Sequence, residues 1–192
     1  MNETVIDISK HAAAIFGYGS LVSRASLEQT LGRRYEGPYV PAHVEDWRRC
    51  WDVVMPNPGF YAEGTSGEFK PEYIIYLNVT PRTGSLLNGM LFVVEPPELE
   101  AMDTREWIYD RWKINEQLRG VTVVGGDAYI YVAKPQFVMA NVQSPARAAV
   151  RASYLEILEA GFAQLDESFR QEFDQTSDEV PRHLVVRDKR RP

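Results

Sequence analysis

Two short stretches of this 192-residue chain place chemically capable groups where a fold can use them. The first is "IFGYGSL" at 15–21, an apolar run that ends in Gly17, Tyr18, Gly19, Ser20 and Leu21. Glycines at the end of a strand let backbone amides come close to a ligand, and a nest of such amides grips an anion. By itself the pattern describes no more than a tight turn. The second stretch is "LEAMDTREWIY" at 99–109, where Leu99, Met102, Glu106 and Tyr109 share one face at helical spacing, the apolar one. A carboxylate among hydrophobic side chains costs several kcal/mol if it stays charged and unpaired, so its proton affinity rises unless a cation compensates. That is the environment of a general acid/base. The alternatives are a structural ion pair with Arg105 or Arg111, or a helix that stops short of Glu106. An anion nest and a desolvated carboxylate together suit a ligand with a carboxylate to hold and a proton to remove, and an amino-acid head group has both.

Other chemistries lack their residues. His11, His43 and His183 are far apart, with no His-x-x-x-His or cysteine pair, so no metal is expected. Cys50, the single cysteine, lies between Arg49 and Trp51 in a strand-like stretch and reads as a small buried hydrophobe rather than a nucleophile. There is no Gly-x-Ser-x-Gly elbow and no phosphate-binding loop of the Walker type. Lys and Arg total 21 against 27 Asp and Glu, a formal charge of −6, which disfavours nucleic acid as a partner. The terminal "RDKRRP" reads as a short solvated end. No run approaches the ~18 apolar residues of a membrane span, and the opening "MNETVIDISKHAAAIF" lacks the basic start of a secretion signal. A cytoplasmic protein without membrane association is expected, and one unpaired cysteine agrees with a reducing compartment.

Around these stretches the length points to a single domain over 1–192. "AAIFGYG" reads as a buried strand, and "SRASLEQTLG" as a helix with a capping box from Ser26 to Gln29 and a stop at Gly32. "AHVEDWRRCWDVV" reads as a strand, and 55–72 as a long loop of the kind that often serves as a lid. "YIIYLNV" and "NGMLFVV" are strands joined by the turn-rich "TPRTGSLL"; "PPELEAMDTREW" is a helix opened by prolines, and "DAYIYVA" a further strand. From 144 to 175 the alanine-rich opening and the spacing of Tyr154, Leu155, Leu158, Phe162 and Leu165 predict helix, with Gly161 as a break. Strands first and helices last predict an α+β fold with a largely antiparallel or mixed sheet curled toward a barrel.

"FGYGSL" at 16–21 and "NGMLFVVEPPELEAMDTREWIYDRWKI" at 88–114 resemble, in order and separation, the two signatures of the gamma-glutamylcyclotransferase-like superfamily. These are a first strand ending in Tyr-Gly-Ser and Leu or Asn-Leu, and a glycine-led strand followed by a helix with Leu-x-x-Met/Leu-Asp-x-x-Glu and a nearby tyrosine. The resemblance runs from about 14 to 133. It implies a small mixed, largely antiparallel β-barrel flanked by helices, no cofactor, and cleavage of a small-molecule gamma-glutamyl substrate to 5-oxoproline and an amine or amino acid. The family's catalytic glutamate falls on Glu106 and its substrate loop on Tyr18, Gly19, Ser20 and Leu21. Tyr109 and Tyr131 are candidate donors to the substrate carboxylate or to a developing oxyanion, with plain packed aromatics as the alternative. Leu21 follows the serine directly where some branches carry asparagine, which leaves the substrate open, as is the choice between monomer and homodimer. A non-catalytic module holding an acidic metabolite in the same pocket is the competing expectation.

Overall fold

A computed structural model describes residues 4–64, 67–142 and 147–190. In chain order its strands and helices begin with β1 (Thr4–Asp7), β2 (Ala13–Gly17), α1 (Arg24–Leu31), β3 (Tyr39–Pro56), β4 (Phe60–Gly64) and β5 (Gly67–Phe69). Then follow β6 (Tyr73–Val94), α2 (Pro96–Arg105), β7 (Tyr109–Lys113), β8 (Leu118–Arg119), β9 (Val121–Val124) and β10 (Ala128–Ala133). The last are β11 (Ala148–Arg151), α3 (Ala152–Phe162), α4 (Glu167–Gln175), β12 (Val185–Val186) and β13 (Asp188–Arg190). The fold is α+β, as expected: a mixed sheet ordered β12-β11-β6-β2-β10-β7, with β3 laid along β6 and β8 on β3. Among the described residues no helix is long and apolar enough to cross a membrane.

β2 is the strand that positions the site. All five of its residues are buried, because it runs antiparallel to β6 on one side and parallel to β10 on the other, with both faces covered. A strand covered on both faces reads as an unbroken apolar run, which is why "AAIFG" shows no alternation. Period 2 then sorts its side chains: Ala14 and Phe16 enter the core that also holds Leu158, Phe162, Phe169 and Phe173 of α3 and α4. Ala13 and Ile15 face Leu27 of α1 and Met102 of α2. Burial of Ile15 and Phe16 stabilises by about 1.5–3 kcal/mol each, enough to anchor the turn that follows at Gly17.

Several expectations are corrected by long-range pairing. "YIIYLNV" and "NGMLFVV" belong to one strand of 22 residues, because β3 offers a continuous antiparallel partner from Tyr39 to Pro56 with two register shifts. The stretch 55–72, expected as a loop, contains the hairpin β4–β5, and β4 pairs with β13 from the C-terminal end. Thr65 and Ser66 of that stretch, residues 144–146 of the expected helical region, and Arg191 and Pro192 of the basic tail lie outside the described residues. The alanine-rich segment is strand β11, not helix, since it adds in parallel to the β6 edge at Tyr73 and Ile74 and to β12. The rest of the helical region is two helices, as expected, with Gly161 in the last turn of α3, which ends at Phe162 before α4 begins at Glu167. α1 is capped by Ser23, which accepts from the Ser26 amide, rather than by Ser26, although Gly32 does end it in a left-handed conformation. α2 opens with its two prolines and a Glu95–Glu98 capping box, and it ends at Arg105.

Candidate active site

The carboxylate of Glu106 sits just past the end of α2, as its C-cap, and not within the helix. The chain turns there toward β7: the Glu106 amide still donates to Met102 O at 2.8 Å, and Glu106 O accepts from the Tyr109 amide at 2.8 Å. The spacing from Met102 is therefore kept, and the side chain points inward with 16% of its surface exposed. Burial pushes its carboxyl above the ordinary 4.5, with Arg105 as the opposing influence. Arg105 does turn toward it, but Nε stands 3.4 Å from Glu106 Oε1, too long for a strong charge-assisted bond. The Arg105 guanidinium is instead fastened by Nη2, which donates to Ser20 Oγ at 2.8 Å and Ser26 Oγ at 3.1 Å. Its Nη1 is buried without a partner among the described residues. The helix thus stops short of Glu106, a cation stands beside it, and desolvation still outweighs that cation in setting its proton affinity.

Across from Glu106 lies the turn after β2. Gly17 and Gly19 are required by close approach, not by φ: a Cβ on Gly17 would meet Leu21 Cβ at 2.5 Å, and one on Gly19 would meet the Tyr154 hydroxyl at 2.9 Å. From the core side Arg49 Nε donates to Tyr18 O at 2.8 Å. In a trans peptide the following amide points the opposite way, so this bond turns the Gly19 N–H away from the core. That amide finds no backbone acceptor among the described residues. Arg49 is itself fully buried, with Nη1 on Thr176 Oγ1 at 2.7 Å and Ser177 Oγ at 3.2 Å. Its Nη2 reaches Asn88 Oδ1 at 2.7 Å and the Asn88 carbonyl, and the guanidinium lies over the Phe173 ring, 3.7 Å from its centroid. No carboxylate bonds to it among the described residues, and burial draws its pKa down to about 9. Sequence reading passed over Arg49 as a mere neighbour of Cys50. The available signal was parity, since Trp47 and Arg49 fall on the same face of β3 and both are buried. Cys50 is indeed a buried thiol, its pKa raised mainly by desolvation.

These elements enclose one cavity of about 580 Å³ that Tyr18, Gly19, Ser20, Leu21, Glu106, Tyr109 and Tyr131 all line. The two candidate tyrosines have their protons committed elsewhere: Tyr109 donates to Leu77 O at 2.8 Å and Tyr131 to Asp103 Oδ1 at 2.8 Å. Tyr18 likewise donates to Tyr131 O at 2.8 Å. Their hydroxyl oxygens remain as acceptors, and burial raises the pKa of Tyr18, Tyr109 and Tyr154 alike, so all are neutral hydroxyls around Glu106. Tyr76, Tyr154 and Arg151, which the sequence did not single out, complete the wall.

No family model matches the sequence, and no curated protein matches it. Solved structures do. YkqA from Bacillus subtilis superposes with a TM-score of 0.56 at 13% identity over 85% of this chain, which spans 53% of the YkqA chain. A protein from Homo sapiens described as uncharacterized, loc79017, gives 0.53 at 11% identity, covering 87% of this chain and 89% of that one. A gamma-glutamyl cyclotransferase gives 0.50 at 10% identity, covering 88% and 90%. The chain has the gamma-glutamyl cyclotransferase-like fold. At these identities the likeness is one of architecture. Within a gamma-glutamyl cyclotransferase-like fold, the turn after β2 and the residue ending α2 are brought to the same cavity from segments some 85 residues apart.

Proposed function

We propose that this protein is a gamma-glutamyl cyclotransferase, releasing 5-oxoproline and an amine or amino acid from a gamma-glutamyl compound. The observation that carries this reading is a desolvated carboxyl, Glu106, sharing one cavity with the backbone turn at 17–21. In the reaction the alpha-ammonium of the substrate gives a proton to the Glu106 carboxylate, whose raised proton affinity favours that transfer. The freed amine attacks the gamma-carbonyl carbon and closes the five-membered ring. The tetrahedral intermediate collapses as Glu106 returns the proton to the leaving nitrogen and the gamma C–N bond breaks; the ring nitrogen then gives its surplus proton to the Glu106 carboxylate, which passes it to the released amine. Ring closure needs the glutamyl chain folded back on itself, so anchoring the alpha-carboxylate removes much of the orientational freedom. The Gly19 amide, turned from the core by Arg49, and the Ser20 hydroxyl held by Arg105 supply that anchor.

The test is a panel of gamma-glutamyl amides and peptides read by 5-oxoproline formation. Glu106→Gln is expected to lower turnover by about 10²–10⁴-fold while its thermal midpoint does not fall below that of the parent. Undiminished turnover in Glu106→Gln would remove the carboxyl from the mechanism. Free glutamate as the product would mean hydrolysis by an activated water, and a thermal shift with glutamate-like ligands but no turnover would mean a binding module.

A further inference from the structure

The cavity is larger than a glutamyl group needs, and its two ends differ. Near Glu106 the wall is polar, with Ser20, Ser26, Gln29 and Thr30. From Gly19 the lining continues through Tyr154, whose ring stands edge-on to Tyr76 at 4.9 Å between centroids, and on to Arg151. There the wall is Met55, Pro58, Phe60, Tyr76 and Ile157. Among the described lining residues only Arg105, Glu106 and Arg151 carry a charge, so the one formal charge facing the cavity at the far end is a cation.

Arg151 is held in advance of any ligand. Its Nε donates to Asp188 Oδ2 at 2.8 Å and its Nη2 to Ser153 Oγ at 2.8 Å. The plane of the guanidinium lies over Phe60, 3.4 Å from the ring centroid. Asp188, on β13, is saturated by the same group and by the Ser153 amide at 3.0 Å and hydroxyl at 2.7 Å. It does not line the cavity, so the positive end of the pair is the end that faces it. The remaining nitrogen, Nη1, makes only a long contact among the described residues, 3.4 Å to the Tyr76 hydroxyl, which itself borders the cavity. A guanidinium nitrogen has two N–H groups and presents them well to a carboxylate. Phe60 lies on β4 and Asp188 on β13, and these two strands pair antiparallel, so the C-terminal segment helps to build this wall.

We propose that Arg151 Nη1 and the Tyr76 hydroxyl form a second carboxylate subsite, making the substrates gamma-glutamyl amino acids or peptides whose leaving residue has a free alpha-carboxylate and an apolar side chain. The inference rests on the cyclotransferase reading for the chemistry, and on the far end of the cavity for the specificity. The experiment compares two substrates that differ only in that carboxylate, gamma-glutamyl-phenylalanine and gamma-glutamyl-phenethylamide. With the parent protein kcat/KM for the first is expected to exceed the second by about tenfold or more, the worth of a charge-assisted hydrogen bond. In Arg151→Gln the ratio is expected to fall toward one, with Arg151→Lys between. Equal kcat/KM for the two substrates in the parent protein would overturn the subsite and leave the cyclotransferase reading intact. Release of 5-oxoproline from neither, nor from any other member of the panel, would overturn that reading, and the subsite would then be judged by the thermal shift of Glu106→Gln. A shift with gamma-glutamyl-phenylalanine that exceeds the one with the phenethylamide supports it; equal or absent shifts overturn it.

Discussion

Arg49 and Arg105 reach the same turn at 17–22 from opposite sides, and their surroundings differ in kind. Arg49, on the core side, is enclosed by neutral acceptors from three separate segments: Tyr18, Asn88, and the end of α4 with Phe173, Thr176 and Ser177. Arg105, on the cavity side, has two hydroxyls, one loosely placed carboxylate and a nitrogen with no partner among the described residues. A buried charge with every donor satisfied acts as a fixture, because removing it leaves several buried acceptors unpaired. A charge that is only partly satisfied, standing beside a desolvated acid, acts on that acid's proton affinity. The turn is thereby held from behind and tuned from in front.

The largest expected effect that tests this contrast is on Arg49. Arg49→Met is expected to lower stability by about 3 kcal/mol or more, measured by urea unfolding, and Arg49→Lys to recover little because a single ammonium cannot reach the same acceptors. An unchanged urea midpoint in Arg49→Met would end the description of it as a fixture. Next in size is Arg105→Gln, where the loss falls on turnover. About tenfold lower kcat/KM is expected, together with an acidic limb of the pH–rate profile displaced to higher pH, since Arg105 is the influence that lowers Glu106. If Arg105→Gln instead lost as much stability as Arg49→Met with an unmoved pH limb, the two arginines would be doing the same job.

The smallest effect is the pH dependence of folding. Glu106 has a raised pKa in the fold, so between 4.5 and the raised value the folded state binds the extra proton. Its stability contribution is therefore most favourable below the unfolded value and declines as pH rises through the folded one. Glu106→Gln is expected to remove that decline, so the difference in unfolding free energy between variant and parent should grow from acid toward neutral pH in favour of the variant. A constant difference across that range would show that Glu106 titrates normally.

Much of what surrounds the site was legible locally. The unbroken apolar run of β2, the stop at Gly32, the proline-opened α2 and the i, i+4 relation of Met102 to Glu106 all follow from short-range pattern, and the structure contains each. What was missed shares one property. The continuity of β6, the strand character of Ala148–Arg151 and the hairpin β4–β5 with its β13 strap depend on partners far away in sequence. Thr80 through Leu86 is largely exposed and turn-rich in composition, yet β6 runs through it: Thr80, Pro81 and Leu86 pair with β3, and the bulged residues 82–85 between them are held by the Gly84 amide donating to Asp46 Oδ1 at 2.7 Å. Tertiary context overrides propensity there. Arg49 and Arg151 were overlooked for the same reason, since arginine is by default a surface residue, and only the assembled neighbours show which ones are buried or half-buried and aimed.

By itself the sequence determined which groups could react and which local elements carry them, because strand burial, capping and helical periodicity are properties of neighbouring residues. The packed structure alone decided that Glu106 is desolvated while its nearest cation stands 3.4 Å away, and that the turn at 17–22 is pinned by a guanidinium from β3. It alone also decided that a C-terminal strap sets Arg151 at the far end of the cavity. Desolvation and the direction of a charged side chain depend on whatever packs around it, and here those atoms come from segments up to 128 residues apart, as between Arg49 and Ser177.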